Sequence, residues 1–165
     1  MIYFRALKEA DIDTSYLETL NDKAYMMFSR QKMYFHTSLS QKRYLDSYSN
    51  SEISIIKAAC ESDSHDLIGV VNATDINRSI SSCNAGILIF RSFGHKGKGH
   101  EVWQSWLEFL HTTERIKIVY AGTHIGNISM QKLCLKAQMK QVQPVQIEVT
   151  NDLVFFEHID ESFKP

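Results

Sequence analysis

The chain carries little of what builds covalent or metal scaffolding. Its 165 residues hold three cysteines, Cys60, Cys83 and Cys134, widely spaced and without a Cys-x-x-Cys pair. An odd, scattered set argues against a disulfide framework and fits a reducing compartment. No pair of histidines stands with a carboxylate or cysteine at metal-ligand spacing, so no metal is expected. Proline is scarcer still, with only Pro144 and the terminal Pro165. Without a Gly/Ser linker or internal repeat, residues 1–165 read as a single domain. Charge of either sign is not in excess: the formal net charge is −1 and the pI is near 6.6. A dedicated nucleic-acid binder should be basic, so nucleic acid is excluded as a partner. No apolar run is long enough to cross a bilayer, which excludes a membrane span. The opening "MIYFRALKEAD" is charged within its first nine residues and lacks the apolar segment of a secretory signal. The expected location is therefore cytoplasmic.

What the chain does have is an ordinary globular composition, 44% hydrophobic and 22% charged, at a length that buries a good core. "IYFRAL" reads as a strand. In "ADIDTSYLETLND", Ile12, Tyr16, Leu17 and Leu20 share a helical face, with Asp11 or Asp13 as cap. Residues 21–50 read as irregular helix, rich in methionine and aromatics. The period then changes. "EISIIKAAC" (52–60), "DLIGVVNATDI" (66–76) and "NAGILIF" (84–90) read as strands separated by polar turns. Val102, Trp103, Trp106, Leu107 and Leu110 mark a helix. "IKIVYAG" (116–122) is a strand, and Met130, Leu133, Cys134 and Ala137 mark another helix. "VQPVQIEV" and "DLVFFEHI", separated by "TND", read as a closing hairpin. The sum is an α/β (α+β mixed) domain.

Glycine is sparse but clustered. Three of the seven glycines fall in "GHKGKGH" (94–100), between the strand "ILIF" and a helix that starts near Lys98. A glycine-rich strand-to-helix turn presents backbone N–H groups at a helix N-terminus, where the dipole favours phosphate. Lys96 and Lys98 add charge. The other reading is a turn whose glycines only relieve strain. Two nucleotide signatures fail here. In G-x-x-x-x-G-K-S/T, His100 and Glu101 stand where Lys and Ser/Thr belong, and in G-x-G-x-x-G the third glycine is Val102.

The run "NAGILIFRSFGHKGKGHEVW" resembles the acetyl-CoA signature of the GNAT acetyltransferase superfamily, a strand followed by Gln/Arg-x-x-Gly-x-Gly/Ala. Gly97 and Gly99 match its glycines, and Glu101 matches a Glu that often follows. A second block, "VYAGTHIGNISMQKLCLKAQMK", is similar to the family's strand and helix at Val119, Ala121, Gly122, Asn127, Met130, Leu133, Lys136 and Met139. "YLETLND" resembles the opening of a subgroup that acetylates N-terminal residues or amino sugars. The resemblance spans nearly the whole chain. It implies a mixed, mostly antiparallel twisted sheet flanked by helices, with acetyl-CoA as co-substrate. It implies that the backbone of Gly94, His95, Lys96, Gly97, Lys98, Gly99 and His100 holds the pyrophosphate. Ile87, Leu88 and Ile89 would run beside the pantetheine arm and offer an oxyanion amide, with Asn127 bonded to the coenzyme. Tyr25, Met33 and Tyr34 would line the acceptor cleft. The implied partner is a small amine or an N-terminal peptide, and a homodimer is compatible with it.

The chain departs from that pattern at four places. Gly94 replaces Gln/Arg, Asn84 replaces a frequent Glu, Gln138 replaces a glycine, and Cys134 replaces a tyrosine that protonates the leaving thiolate in several relatives. The remaining candidates for proton transfer are His124, before Asn127, and Cys134; a packed core thiol is the other reading of Cys134. Two functions follow: an N-acetyltransferase acting by direct attack of a primary amine, or a non-catalytic coenzyme A-binding module.

Overall fold

Each β-prone run of the first half of the chain pairs with its neighbour in sequence, as short polar turns dictate. The computed structural model describes residues 1–94, 96–143 and 152–163. Its strands are β1 (Ile2–Ala6), β2 (Ile55–Glu61), β3 (Leu67–Asn77), β4 (Ser82–Ile89), β5 (Ile118–His124), β6 (Lys140–Val142) and β7 (Leu153–Ile159). They form one sheet in the order β1-β2-β3-β4-β5-β7-β6, antiparallel throughout except for β4 and β5. The helices are α1 (Thr14–Asn21), α2 (Ser38–Ser49), α3 (Lys98–Thr112) and α4 (Ile128–Lys136). The proposed strand over "VQPVQIEV" lies almost wholly outside the described residues; β6 precedes it and pairs with β7.

Local chemistry sets the helix starts. Asp13 caps α1 by accepting from the Tyr16 amide at 2.9 Å. Thr37 and Ser40 exchange side-chain and backbone bonds at the start of α2. Residues 21–50 are therefore not one irregular helix. Ser29 starts a separate 3-10 turn over Arg30–Met33, and α2 begins only at Ser38.

Strand alternation divides the core into two layers. On one face Ala59, Val71, Ala73 and Val119 pack under Trp103, Trp106 and Leu110 of α3. On the other, Ile56, Ala58 and Val70 pack under Tyr16 and Leu20 of α1. Among the described residues no helix is long and apolar enough to cross a membrane.

The last turn of α3 is tied to β7 by two histidines. His111 Nδ1 bonds the Ile116 carbonyl at 2.7 Å, so it carries a proton and leaves Nε2 to accept from His158 Nδ1 at 2.9 Å. Burial, and then His111 beside it, lowers the His158 pKa below the ordinary 6.5, against a weaker opposing pull from Asp160. A depressed pKa means that the unfolded chain binds the proton first. The His158 contribution is complete above pH 6.5 and is lost as pH falls from 6.5 through the lower folded value. Urea unfolding at pH 7.5 and 5.0 should show a loss of less than about 1.4 kcal/mol per pH unit from this group. His158→Gln should flatten that part of the slope; an unchanged slope would remove His158 as its source.

Candidate active site

β4 and β5 pair only at Ser82↔Ile118, Cys83↔Val119 and Asn84↔Tyr120. Beyond that point both continue but part, β4 held along its other edge by β3 up to Gly69↔Ile89 and β5 held by β7 up to His124↔Leu153. The Phe90 amide bonds Ile68 O at 2.8 Å, so alternation turns the peptide groups of Leu88 and Gly86 toward β3. Those of Ala85, Ile87 and Ile89 face the opening instead. A cavity of about 1280 Å³ runs through this wedge from the α3/α4 side to the α1/α2 side.

At the α3/α4 end the wall is the glycine turn. A 3-10 turn over Arg91–Phe93 leads to Gly94, and Gly97 takes the left-handed conformation, φ 76°, as N-cap of α3. No side chain caps this helix. The His100 amide bonds Gly97 O at 3.2 Å, and among the described residues the Lys98 and Gly99 amides have no partner. Among the described residues His100 Nδ1 is buried without a partner in the same wall. A side chain on Gly97 would meet nothing within 4 Å, so the space above the turn is open. Free amides, a helix N-terminus and an orphaned imidazole nitrogen suit a phosphate group.

The side chains of the two lysines add less than their sequence positions promised. Lys98 Nζ is taken by Glu61 and by Glu101 at 3.4 Å. Lys96 Nζ lies 5.7 Å from the Phe93 ring centroid. His95 lies outside the described residues.

The α1/α2 end is aromatic and uncharged. Tyr16, Tyr25, Phe28, Gln41, Tyr44 and Asn72 line it, and among the described residues no carboxylate does. Tyr16 donates to Gln41 Oε1 at 3.1 Å, and burial pushes its phenol up to about 12. Gln41 Nε2 bonds His36 Nδ1 at 2.9 Å. Of these residues only Tyr25 stands among the sequence candidates. Asn72 was detectable as the lone amide inside the apolar strand "IGVVNAT".

The candidates drawn from sequence separate into two groups. Ile87, Leu88, Ile89, Gly94, Gly97, Gly99, His100 and Asn127 all line the cavity. Leu88 contributes its side chain only, since its peptide group is turned to Val70. Tyr25 donates to the Ile89 carbonyl at 2.9 Å and abuts Gly94, so it pins the end of β4 as well as lining the cleft. Asn127 caps α4, accepting from the Met130 amide at 3.2 Å and donating to Thr123 Oγ1 at 3.0 Å.

Besides Lys96 and Lys98, four candidates stand away from the cavity wall. Met33 and Tyr34 are exposed, 76% and 68%, on the 3-10 turn and its end. Cys134 is fully buried under α3, where desolvation pushes its thiol up to about 12. That makes it a core thiol rather than a proton donor. His124 accepts from the Gly126 amide through Nδ1 at 2.9 Å and stacks on Phe28 at 5.3 Å. It builds the turn before α4. Among the described residues no cluster of His, Cys, Asp or Glu is placed to hold a metal ion.

A sheet whose two central parallel strands part over an uncapped glycine turn defines a class of coenzyme A-dependent N-acyltransferases. The GNAT acetyltransferase domain family model matches residues 2–140, and the chain belongs to that family. Its fold is similar to that of a spermidine N-acetyltransferase from Vibrio cholerae solved with CoA and spermine. That match has TM-score 0.81 and 15% identity, over 96% of this chain and 95% of that one. It is also similar to RimL, a ribosomal L7/L12 alpha-N-protein acetyltransferase solved with coenzyme A. There the TM-score is 0.79 at 12% identity, over 96% and 93% of the two chains. No curated protein sequence matches the chain.

Two predictions follow from the wall. A side-chain Cβ on Gly99 would touch Ile89 and Leu133 at an ordinary 3.6 Å, so Gly99→Val should fold while filling the cavity. Coenzyme A at 100 times its Kd should stabilise the wild type by about 2.7 kcal/mol and raise its Tm. The variant should lose that rise, and a retained rise would move the phosphate site elsewhere. Asn127→Ala should lower unfolding free energy by about 1 kcal/mol through the lost cap. Its affinity for coenzyme A should stay within about twofold, and a tenfold loss at unchanged stability would make Asn127 a coenzyme ligand instead.

Proposed function

We propose that the cavity holds acetyl-CoA with its pyrophosphate at the Lys98 and Gly99 amides and its pantetheine arm along the open edge of β4. A primary amine enters from the α1/α2 side. The observation that carries this reading is the parting of β4 and β5 over an uncapped helix N-terminus, both on one cavity. The open edge of β4 would pair with the amide-bearing arm as an added strand does. The Ile87 N–H, turned into the wedge, donates to the thioester oxygen as charge develops there. The amine nitrogen bonds to the acetyl carbon, the carbon–sulfur bond breaks, and the amine's surplus proton leaves through water. The alternative of a non-catalytic coenzyme A-binding module is not favoured, because the solved relatives are N-acetyltransferases.

The uncharged acceptor end narrows the amine. A lysine side chain is neutral only about 0.04% of the time at pH 7, whereas an α-amine with a pKa near 8 is neutral roughly 10% of the time. With no carboxylate among the described lining residues to take the proton, the acceptor should be an amine that sheds it readily. A polyamine would bring several positive charges into a wall without a counter-charge. The reading is therefore an α-amine or an amino sugar, with the amino sugar preferred because hydroxyl and amide groups stand among the aromatic rings.

Acetyl transfer at pH 7 should be fastest on nucleotide-linked amino sugars, slower on a peptide with a free N-terminus, and slowest on spermidine or on a lysine peptide with a blocked N-terminus. For each acceptor kcat/KM should rise with pH toward the pKa of its own amine. Fastest turnover on spermidine or on the blocked peptide would overturn the acceptor assignment.

A further inference from the structure

Asn72 of β3 stands opposite Gly86 of β4, one residue before the amide that faces the wedge at Ile87. The two share the α1/α2 face of the sheet. Facing residues of a hydrogen-bonded antiparallel pair sit about 5.5 Å apart. The Asn72 amide occupies the place of the missing side chain, since a Cβ on Gly86 would fall 2.3 Å from Asn72 Oδ1. Glycine at 86 is what lets a polar group lie against the reaction centre.

The orientation of that group is fixed from behind. Asn72 Nδ2 donates to Tyr48 Oη at 3.0 Å, and Tyr48 Oη is 2.9 Å from Tyr44 Oη. Tyr48 accepts from Asn72 through one lone pair, and between the two phenols either oxygen can be the donor. When Tyr48 is the donor, the Tyr44 proton is left for the cavity, which Tyr44 lines together with Asn72. Burial above all raises the Tyr44 pKa, so this hydroxyl keeps its proton. Among the described residues Asn72 Oδ1 has no protein partner. The wall therefore offers one bare acceptor and, beside it, a hydroxyl able to turn its proton to a ligand, both uncharged.

We infer that Asn72 Oδ1 orients the acceptor amine and that Tyr44 Oη donates to an oxygen beside it, so that the site selects an amine with a neighbouring hydroxyl. This rests on the acetyl-transfer reading above and deepens it. An N–H of the neutral amine points at Oδ1, which aims the nitrogen lone pair toward a carbonyl held at Ile87. The Tyr44 hydroxyl meets the adjacent oxygen, as in 2-aminoethanol or a 2-amino-2-deoxy sugar. The neutrality of Asn72 also excludes polycations. A carboxylate at the same place would attract them.

The test compares 2-aminoethanol, ethylamine and spermidine as acceptors for wild type, Tyr44→Phe and Asn72→Asp. The rise in Tm with coenzyme A is measured on each protein to establish folding and coenzyme binding. Wild type should favour 2-aminoethanol over ethylamine. Tyr44→Phe should lose two- to tenfold in kcat/KM on 2-aminoethanol, mainly through KM, and stay within twofold on ethylamine. Asn72→Asp should move the spermidine to 2-aminoethanol ratio toward spermidine by tenfold or more. Variants that slow all three acceptors equally would reduce both residues to structural roles and overturn the inference alone. A wild type that binds coenzyme A yet acetylates no amine would overturn the acetyl-transfer reading, and this one with it. If Asn72→Asp shows no rise with coenzyme A, Tyr44→Phe still decides by its acceptor ratio.

Discussion

The site depends on two parallel strands that stop pairing while both are still held. β4 keeps β3 on its outer edge to its last residue, and β5 keeps β7. Neither strand therefore frays where they part. The separation leaves peptide groups without a strand partner on the inner edge of β4, at the Ala85 carbonyl, at Ile87 and at the Ile89 amide, while Tyr25 takes the Ile89 carbonyl. Buried peptide groups without partners are costly, so such an edge persists where water or a ligand satisfies it. A bound chain with amides of its own is the natural partner, and the wedge would select for one. The seven-stranded sheet thus carries a gap at its centre that serves as an interior binding surface.

The two ends of the gap are mechanically joined. Thr19 Oγ1 accepts from the Arg91 amide at 3.1 Å, Asp22 pairs with Arg91 at 2.9 Å, and Tyr25 bonds the Ile89 carbonyl at 2.9 Å. All three link α1 and the segment after it, which wall the acceptor end, to the end of β4 and the start of the glycine turn. The Arg91 pair is largely exposed and contributes little by itself. The hydroxyl bonds from Thr19 and Tyr25 lie partly buried and carry more. A ligand that settles the glycine turn therefore also settles one wall of the acceptor cleft.

Much of the fold was legible because alternation and helical stripes are local. Strand "DLIGVVNATDI" became Leu67–Asn77 and the helix near Lys98 began at Lys98. The glycine turn was legible for the same reason: it sits between two unambiguous elements. The parallel pairing of β4 with β5 and its early end were not legible, because register across a crossover helix is set by tertiary packing. Side-chain commitments were hidden likewise. Lys98 reads as a free cation until Glu61 is folded beside it from β2. Residues 21–50 misled because Tyr25, Met26, Met27 and Phe28 line a cleft, while Met33 and Tyr34 stand exposed, so neither group marks a regular stripe. Asn72 and Tyr44 are 28 residues apart in sequence, and only the packing of α2 on β3 brings them together.

The histidine and the thiol nearest the second signature block both turn out to be structural, and the chemistry of the site follows from that. His124 spends Nδ1 on the Gly126 amide and its face on Phe28. Cys134 spends its sulfur on the core under α3. With neither facing the cavity, and with the tyrosine hydroxyls of the cleft raised by burial, no lining phenol gives up its proton near neutral pH. On the proposed mechanism, rate enhancement comes from placement, with the amine held at a neutral amide and the carbonyl at a backbone N–H. Such a site demands little reorganisation during reaction, but it works only on nucleophiles that arrive unprotonated. The lack of a lining carboxylate among the described residues and the proposed preference for a weakly basic amine are thus two sides of one proposal about this cleft.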